Sequence, residues 1–124
     1  MNTFKKSERL CDRKSTENLF SKGISFFEEP FRCIYLKVDE ERVSCLKTQI
    51  VIPKRNIPKA VNRNLIKRHI KEVFRNNKSY LISNLEEKQA KLDLSIIYQS
   101  KDILSFFVIE EKIKLSLVRL NSKL

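Results

Sequence analysis

Long apolar runs are missing from this sequence. None exceeds four residues, the length of Phe106 to Ile109, against the ~20 that a membrane-spanning helix requires, so no segment is expected to cross a bilayer. The basic residues within Met1 to Lys6 are followed by neither an apolar stretch nor a small-residue cleavage site; no secretory leader is expected, and a cytoplasmic location is. Cysteine is scarce and odd in number: Cys11, Cys33 and Cys45 form no C-x-x-C pair, which argues against a disulfide framework and a zinc site. Free thiols follow, with Cys33 a small core residue inside its apolar run. The only histidine is His69, and the acids stand mostly in runs such as Glu28-Glu29, Asp39-Glu40-Glu41 and Glu86-Glu87 that suit solvated turns and helix faces. Phosphodiester hydrolysis by a protein needs metal-binding carboxylates or an acid/base pair, so no catalytic and no metal-binding residue is expected. No Pro/Gly/Ser linker divides the chain, which reads as one domain over residues 1–124 with a flexible N-terminus over 1–8.

What the sequence has is positive charge. Lys and Arg number 26 against 15 Asp and Glu, a net charge of +11 in 124 residues, and such an excess points to a polyanionic partner. Nine of these cations lie between Lys54 and Lys78 beside a single acid, Glu72, so most of the net charge falls in a fifth of the length.

The single glycine, Gly23, marks a helix stop, and Ser15 is a suitable N-cap for a short helix carrying Leu19 and Phe20. Phe31 to Val38 reads as a strand, with Arg32, Ile34, Leu36 and Val38 on one face and Phe31, Cys33, Tyr35 and Lys37 on the other. After the polar turn Asp39 to Arg42, Val43 to Ile52 reads as one longer strand or two short ones, and a hairpin is the economical pairing. Pro53 and Pro58 bracket the basic loop Lys54-Arg55-Asn56-Ile57, and a helical period then runs from about Lys59 to Asn77. A further helical stretch from Ser79 to Lys91, a buried strand from Leu92 to Tyr98, and a last helix capped by Ser105 with Ile109, Ile113, Leu117 and Leu120 inward complete an α+β pattern.

At 100° per residue the Lys59–Asn77 helix places Val61, Leu65, Ile66, Ile70, Val73 and Phe74 on one arc and Asn64, Lys67, Arg68, Lys71 and Arg75 on the other, with His69 packed on the core side. Solvated helix faces usually mix signs, because opposite charges four residues apart stabilise a helix and like charges cost a few tenths of a kcal/mol. Lys67 with Lys71 and Lys71 with Arg75 stack unrelieved, an arrangement that suits a surface covered by phosphate, for which arginine's planar fork and asparagine's amide are fitted.

The run from Ala60 to Arg75, AVNRNLIKRHIKEVFR, closely resembles the RNR-motif helix of the bacterial ribonuclease P protein subunit family, and it follows a strand ending in two basic residues, Lys54-Arg55, as in that family. The resemblance covers about residues 9–121. Leu65 stands where the family has its third motif arginine, which shifts weight toward Arg68 and Arg75. Pro58-Lys59 stands where a glycine is common, and proline near a helix start preorganises the first turn.

The resemblance implies a mostly antiparallel sheet of about four strands packed with three helices, in the order α-β-β-β-α-β-α, with a left-handed βαβ crossover that no pattern argument would give. It implies a monomeric protein in a 1:1 particle with a catalytic RNA subunit, acting on precursor tRNA, with Mg²⁺ bound mainly by the RNA, and with neither DNA nor membrane as a partner. Arg63, Asn64, Lys67, Arg68, Lys71 and Arg75, with Lys54 and Arg55, would contact the RNA subunit. Phe20, Arg32 and Ile34 would hold the 5′ leader in a cleft between the first helix and the sheet, although Phe20 reads almost as readily as core, and Thr16 and Ile34 make the cleft less aromatic than the family's. Neutralising about six phosphates would cost roughly a thousandfold in affinity between 50 and 200 mM salt. A ribosomal-type RNA-binding module, a protein-only nuclease and a DNA-binding regulator are the rival readings; the last lacks the short helix that a helix-turn-helix places just upstream.

Overall fold

The computed structural model describes residues 8–124; the expected flexible segment 1–8 lies outside the described residues except for Glu8, which is held by Lys78. Eight elements follow in order: α1 (Arg13–Lys22), β1 (Ile24–Glu28), β2 (Phe31–Val38), β3 (Leu46–Val51), α2 (Ala60–Asn77), α3 (Ser79–Glu87), β4 (Lys91–Tyr98) and α4 (Phe106–Lys123). The stretch expected from Ser79 is thus a separate helix, making four helices rather than three.

The sheet runs β1-β2-β4-β3, with β1–β2 and β2–β4 antiparallel and β3–β4 parallel. The expected hairpin between the Phe31 strand and the strand after Asp39–Arg42 does not form, because β4 lies between the two. The reason is in β4 itself, where every residue from Leu92 to Tyr98 is buried. A strand covered on both faces needs neighbours on both edges and helices above and below. A parallel β3–β4 pair also requires a long crossover, which α2 and α3 provide. The hairpin that does form joins β1 to β2 through Glu29–Pro30, whose peptide bond is cis.

Alternation along β2 sorts its side chains as expected. Phe31, Cys33 and Tyr35 enter the main core with Ile66, Ile70, Val73 and Phe74 of α2 and Ile109, Ile113, Leu117 and Leu120 of α4. Ile34 enters a smaller cluster with Leu10, Leu19 and Ile97 beneath α1. Burial drives the Cys33 thiol up to about 11, as befits a packed residue, and the three cysteines are unpaired.

Helix ends are built locally. Ser105 caps α4 by accepting from Val108 N–H, as its sequence suggests. At α1 the cap is Asp12 rather than Ser15: its carboxylate accepts from the Ser15 N–H at 2.9 Å, and the two bonds from Ser15 hold its pKa down. Asp12 precedes Ser15 by three residues and wins because a carboxylate also answers the positive end of the helix. Gly23 stops α1 in an extended conformation, φ −71° and ψ 159°. Its lack of a Cβ matters through close approach, since a Cβ there would lie 2.3 Å from the Leu19 carbonyl oxygen and 2.6 Å from Ile34 Cγ2.

Candidate nucleic-acid interface

The loop leading into α2 is folded by its own backbone. Asn56 and Ile57 N–H groups donate to Pro53 O, the Asn56 side chain donates to Tyr98 O at 3.2 Å, and Ile57 is buried. Lys54 and Arg55 are left exposed at the turn. Arg63 is turned back on this loop, its Nη1 donating to Ile57 O at 3.0 Å and Pro58 O at 2.7 Å. That engagement makes Arg63 a residue that sets the entry into α2, a role beyond the RNA contact expected of it.

Along the exposed side of α2, Asn64, Lys67 and Arg68 face solvent and Lys71 is half-buried. The Lys71 ammonium is held below its ordinary value, first by burial and then by the charges of Lys67 and Arg9. Arg75 departs from the expected unrelieved stripe, because its Nη2 meets Glu72 Oε1 at 2.6 Å; that bond lowers the Glu72 pKa. One-signed character is therefore concentrated in Lys67, Arg68 and Lys71, with Lys54 and Arg55 at the loop. Leu65 is half-buried beside the core arc, whereas Val61, expected in that arc, is 78% exposed because the first turn of α2 extends past the packed layer. His69 packs edge-to-face on Phe106 at 5.1 Å, and its buried Nδ1 has no hydrogen-bond partner among the described residues.

The opposite sheet face carries α1. Phe20, at the last turn of α1, is 45% exposed, so it is not core. Arg32 is half-buried on this face. Ile34 is only 2% exposed, closed over by Leu19 and Gly23, and the expectation that it contacts a ligand is corrected: its face was legible, the helix above it was not. The structure supplies another aromatic in its place. Phe27 of β1 is directly opposite Arg32 in the register and 59% exposed. The Phe26-Phe27 pair was the available signal, since on a strand only one of two adjacent phenylalanines can face the core.

Among the described residues no three His, Cys, Asp or Glu side chains come together. Asp93 is a lone carboxylate on a buried strand, a feature the acidic runs conceal, and it is bonded to Arg42. No described helix is long and apolar enough to cross a membrane.

Comparison with known proteins agrees with this fold. A family model described as Ribonuclease P matches residues 4–120. A ribonuclease P protein component of Porphyromonas gingivalis strain W83 is 31% identical over 115 residues, covering 93% of this chain and 84% of the relative. One from Petrotoga mobilis is 40% identical over 80 residues, 63% of each chain. The solved ribonuclease P protein of Thermotoga maritima superposes with a TM-score of 0.69 at 26% identity, covering 90% of this chain and 96% of the other. That of Staphylococcus aureus superposes at 0.70 with 21% identity, covering 91% and 94%.

Proposed function

Because the chain belongs to the ribonuclease P protein family and is a protein subunit of ribonuclease P, the endoribonuclease of tRNA 5′ maturation, we propose that its α2 face seats on the catalytic RNA and its α1 face takes the 5′ leader of precursor tRNA. The observation that carries the reading is the one-signed face of Lys67, Arg68 and Lys71, continued by Lys54 and Arg55. Phosphates of a folded RNA core repel one another and limit how closely helices pack; cations fixed on a helix relieve that repulsion where they dock. About five cations, rather than six, would make the affinity fall several-hundredfold between 50 and 200 mM salt.

On the α1 face, Phe27 and Phe20 offer ring surfaces and Arg32 a guanidinium, the combination that holds single-stranded nucleic acid without reading its sequence. Holding the leader would favour precursor over the mature product, which lacks it. Mg²⁺ belongs with the RNA on this reading, since Asp93 is already committed to Arg42 and the described residues gather no donor set for it. The particle is one protein to one RNA, working in the cytoplasm.

Reconstitution with a bacterial ribonuclease P RNA at low Mg²⁺, scoring 5′ cleavage of a precursor tRNA, tests the assignment. Stimulation by the wild-type protein, with loss of leader discrimination in Phe27→Ala, is the expected result. Unchanged discrimination in that variant would remove the α1 face from the assignment.

A further inference from the structure

Helix α4 turns one side toward α2 and the sheet and the other to solvent. Ile109, Ile113, Leu117 and Leu120 enter the main core, and Phe106 meets His69. At 100° per residue the opposite side is a stripe of Phe107, Glu111, Lys114 and Val118, gathered within an arc of about 60°. All four are exposed, Phe107 by 71% and Val118 by 67%, and the exposed Leu115 borders them. Steps of four, three and four residues separate them, the alternation that makes the seam of a coiled coil. A merely solvated face has no use for a large apolar side chain at each end of such a seam. None of these residues belongs to the α2 cation face or to the α1 face.

The stripe is complementary to its own reverse. When a second α4 is laid antiparallel about a two-fold axis passing between Lys112 and Ile113, Phe107 of each helix falls opposite Val118 of the other, and Glu111 falls opposite Lys114. Apolar contacts close the two ends, and two ion pairs fill the middle. Parallel pairing would set Glu111 on Glu111 and Lys114 on Lys114. A slip of one heptad in the antiparallel register would set Glu111 against Phe107 or Lys114 against Val118, so the unslipped register is the one that satisfies all four. Among the described residues neither Glu111 nor Lys114 is already in an ion pair.

We propose that the outer side of α4 is a self-association face, on which a second copy of this chain docks antiparallel along the stripe of Phe107, Glu111, Lys114 and Val118. The central charges fix the register, and the flanking Phe107–Val118 contacts supply the apolar burial. About three helical turns of contact bury less than the ~1,200–2,000 Å² of a stable interface, and two chains of charge +11 repel one another. The pair therefore exchanges with the monomer that the family resemblance implies, in proportions set by concentration. Salt at about 0.15 M screens the repulsion beyond about 8 Å and leaves the ion pairs in contact. The docking uses neither RNA face, so each copy keeps both of its own and the ratio of one protein to one RNA is unchanged.

Sedimentation equilibrium of the full chain, freed of nucleic acid, over about 10 to 500 μM in about 0.15 M salt tests the docking. The wild type should move from monomer toward dimer across that range. Glu111→Lys sets lysine against lysine twice in the symmetric pair, and Lys114→Glu sets glutamate against glutamate, so each alone should weaken pairing about tenfold. Mixed in equal amounts, these two variants regain both oppositely charged pairs as a heterodimer, and the double variant Glu111→Lys with Lys114→Glu regains them as a homodimer. Both should pair within about threefold of the wild type. Phe107→Asp should abolish pairing while leaving the melting curve of the dilute chain unchanged, since the side chain it replaces is exposed. A wild type that stays monomeric at the highest concentration would overturn the docking. So would single variants that pair like the wild type, or a mixture and a double variant that pair no better than the single ones.

Discussion

Arg42 and Asp93, 51 residues apart, meet at 2.7 Å between Nη1 and Oδ1 with both side chains almost wholly removed from solvent. The guanidinium also donates from Nε to Ser44 O and from Nη2 to Leu92 O, both at 2.9 Å, so it ties the link between β2 and β3 across the start of β4. Removing one partner strands the other in a dry site. Arg42→Ala should cost about 3–5 kcal/mol, whereas Arg42→Met combined with Asp93→Leu should cost far less, as urea unfolding of the three proteins will show.

Lys67→Ala with Arg68→Ala changes two exposed side chains. Stability should stay within about 0.5 kcal/mol, while RNA-subunit affinity drops and the slope of log affinity against log salt falls by about 2, or 1 per lost phosphate contact. Filter binding at several salt concentrations checks both. A slope equal to wild type would mean that these cations touch no phosphate.

How much of this was readable beforehand depends on the reach of each interaction. The α2 helix was legible to within a residue because its period repeats over five turns, and β4 because Leu92, Leu94, Ile96 and Tyr98 alternate along one apolar face. Pairing was not legible: nothing local to Phe31–Val38 says that its neighbour comes from residues 91–98. Strand β1 escaped because only Phe26 among its five residues is buried, too little alternation for a pattern. At the interface the exposed cations were readable as a face. The turning of Arg63 onto the carbonyls of Ile57 and Pro58 required the folded loop, and the lid of Leu19 over Ile34 required α1 in place. The Glu72–Arg75 pair, three residues apart, was open to sequence reading all along.

Arg63→Lys tests the loop assignment. A point-like ammonium on a flexible stem does not reproduce a planar fork reaching two carbonyls, so lysine should be nearly as damaging as alanine, with a loss of about 1–3 kcal/mol in either case. Hydrogen exchange at the first turn of α2 should accelerate in both variants. Full rescue by lysine would reduce Arg63 to a mere charge.

Gly23→Ala places a methyl group against backbone and Ile34, and should destabilise the fold by about 1–3 kcal/mol. Because α1 and α2 lie on opposite sides of the sheet, precursor discrimination should suffer more than affinity for the RNA subunit. Equal losses in the two assays would contradict that separation.

Cys33 supplies a pH test. Its thiol titrates near 9 when unfolded and at about 11 when folded, so at intermediate pH the unfolded chain binds fewer protons. The stabilisation is complete below pH 9 and is lost as pH rises toward 11. Melting curves of wild type and Cys33→Ala at constant ionic strength should therefore converge over that window. A constant difference in Tm would show that the thiol does not titrate there.

The order β1-β2-β4-β3 also governs when this protein can fold as it is being made. Once Val51 has left the ribosome, β2 and β3 still lack their common neighbour, which is complete only at Tyr98. At about 5–20 residues per second the chain waits roughly two to nine seconds with two strand edges open, while its most basic segment emerges into a compartment full of RNA. Nascent chains stalled before residue 91 should be digested readily by protease, and protection should arrive with β4.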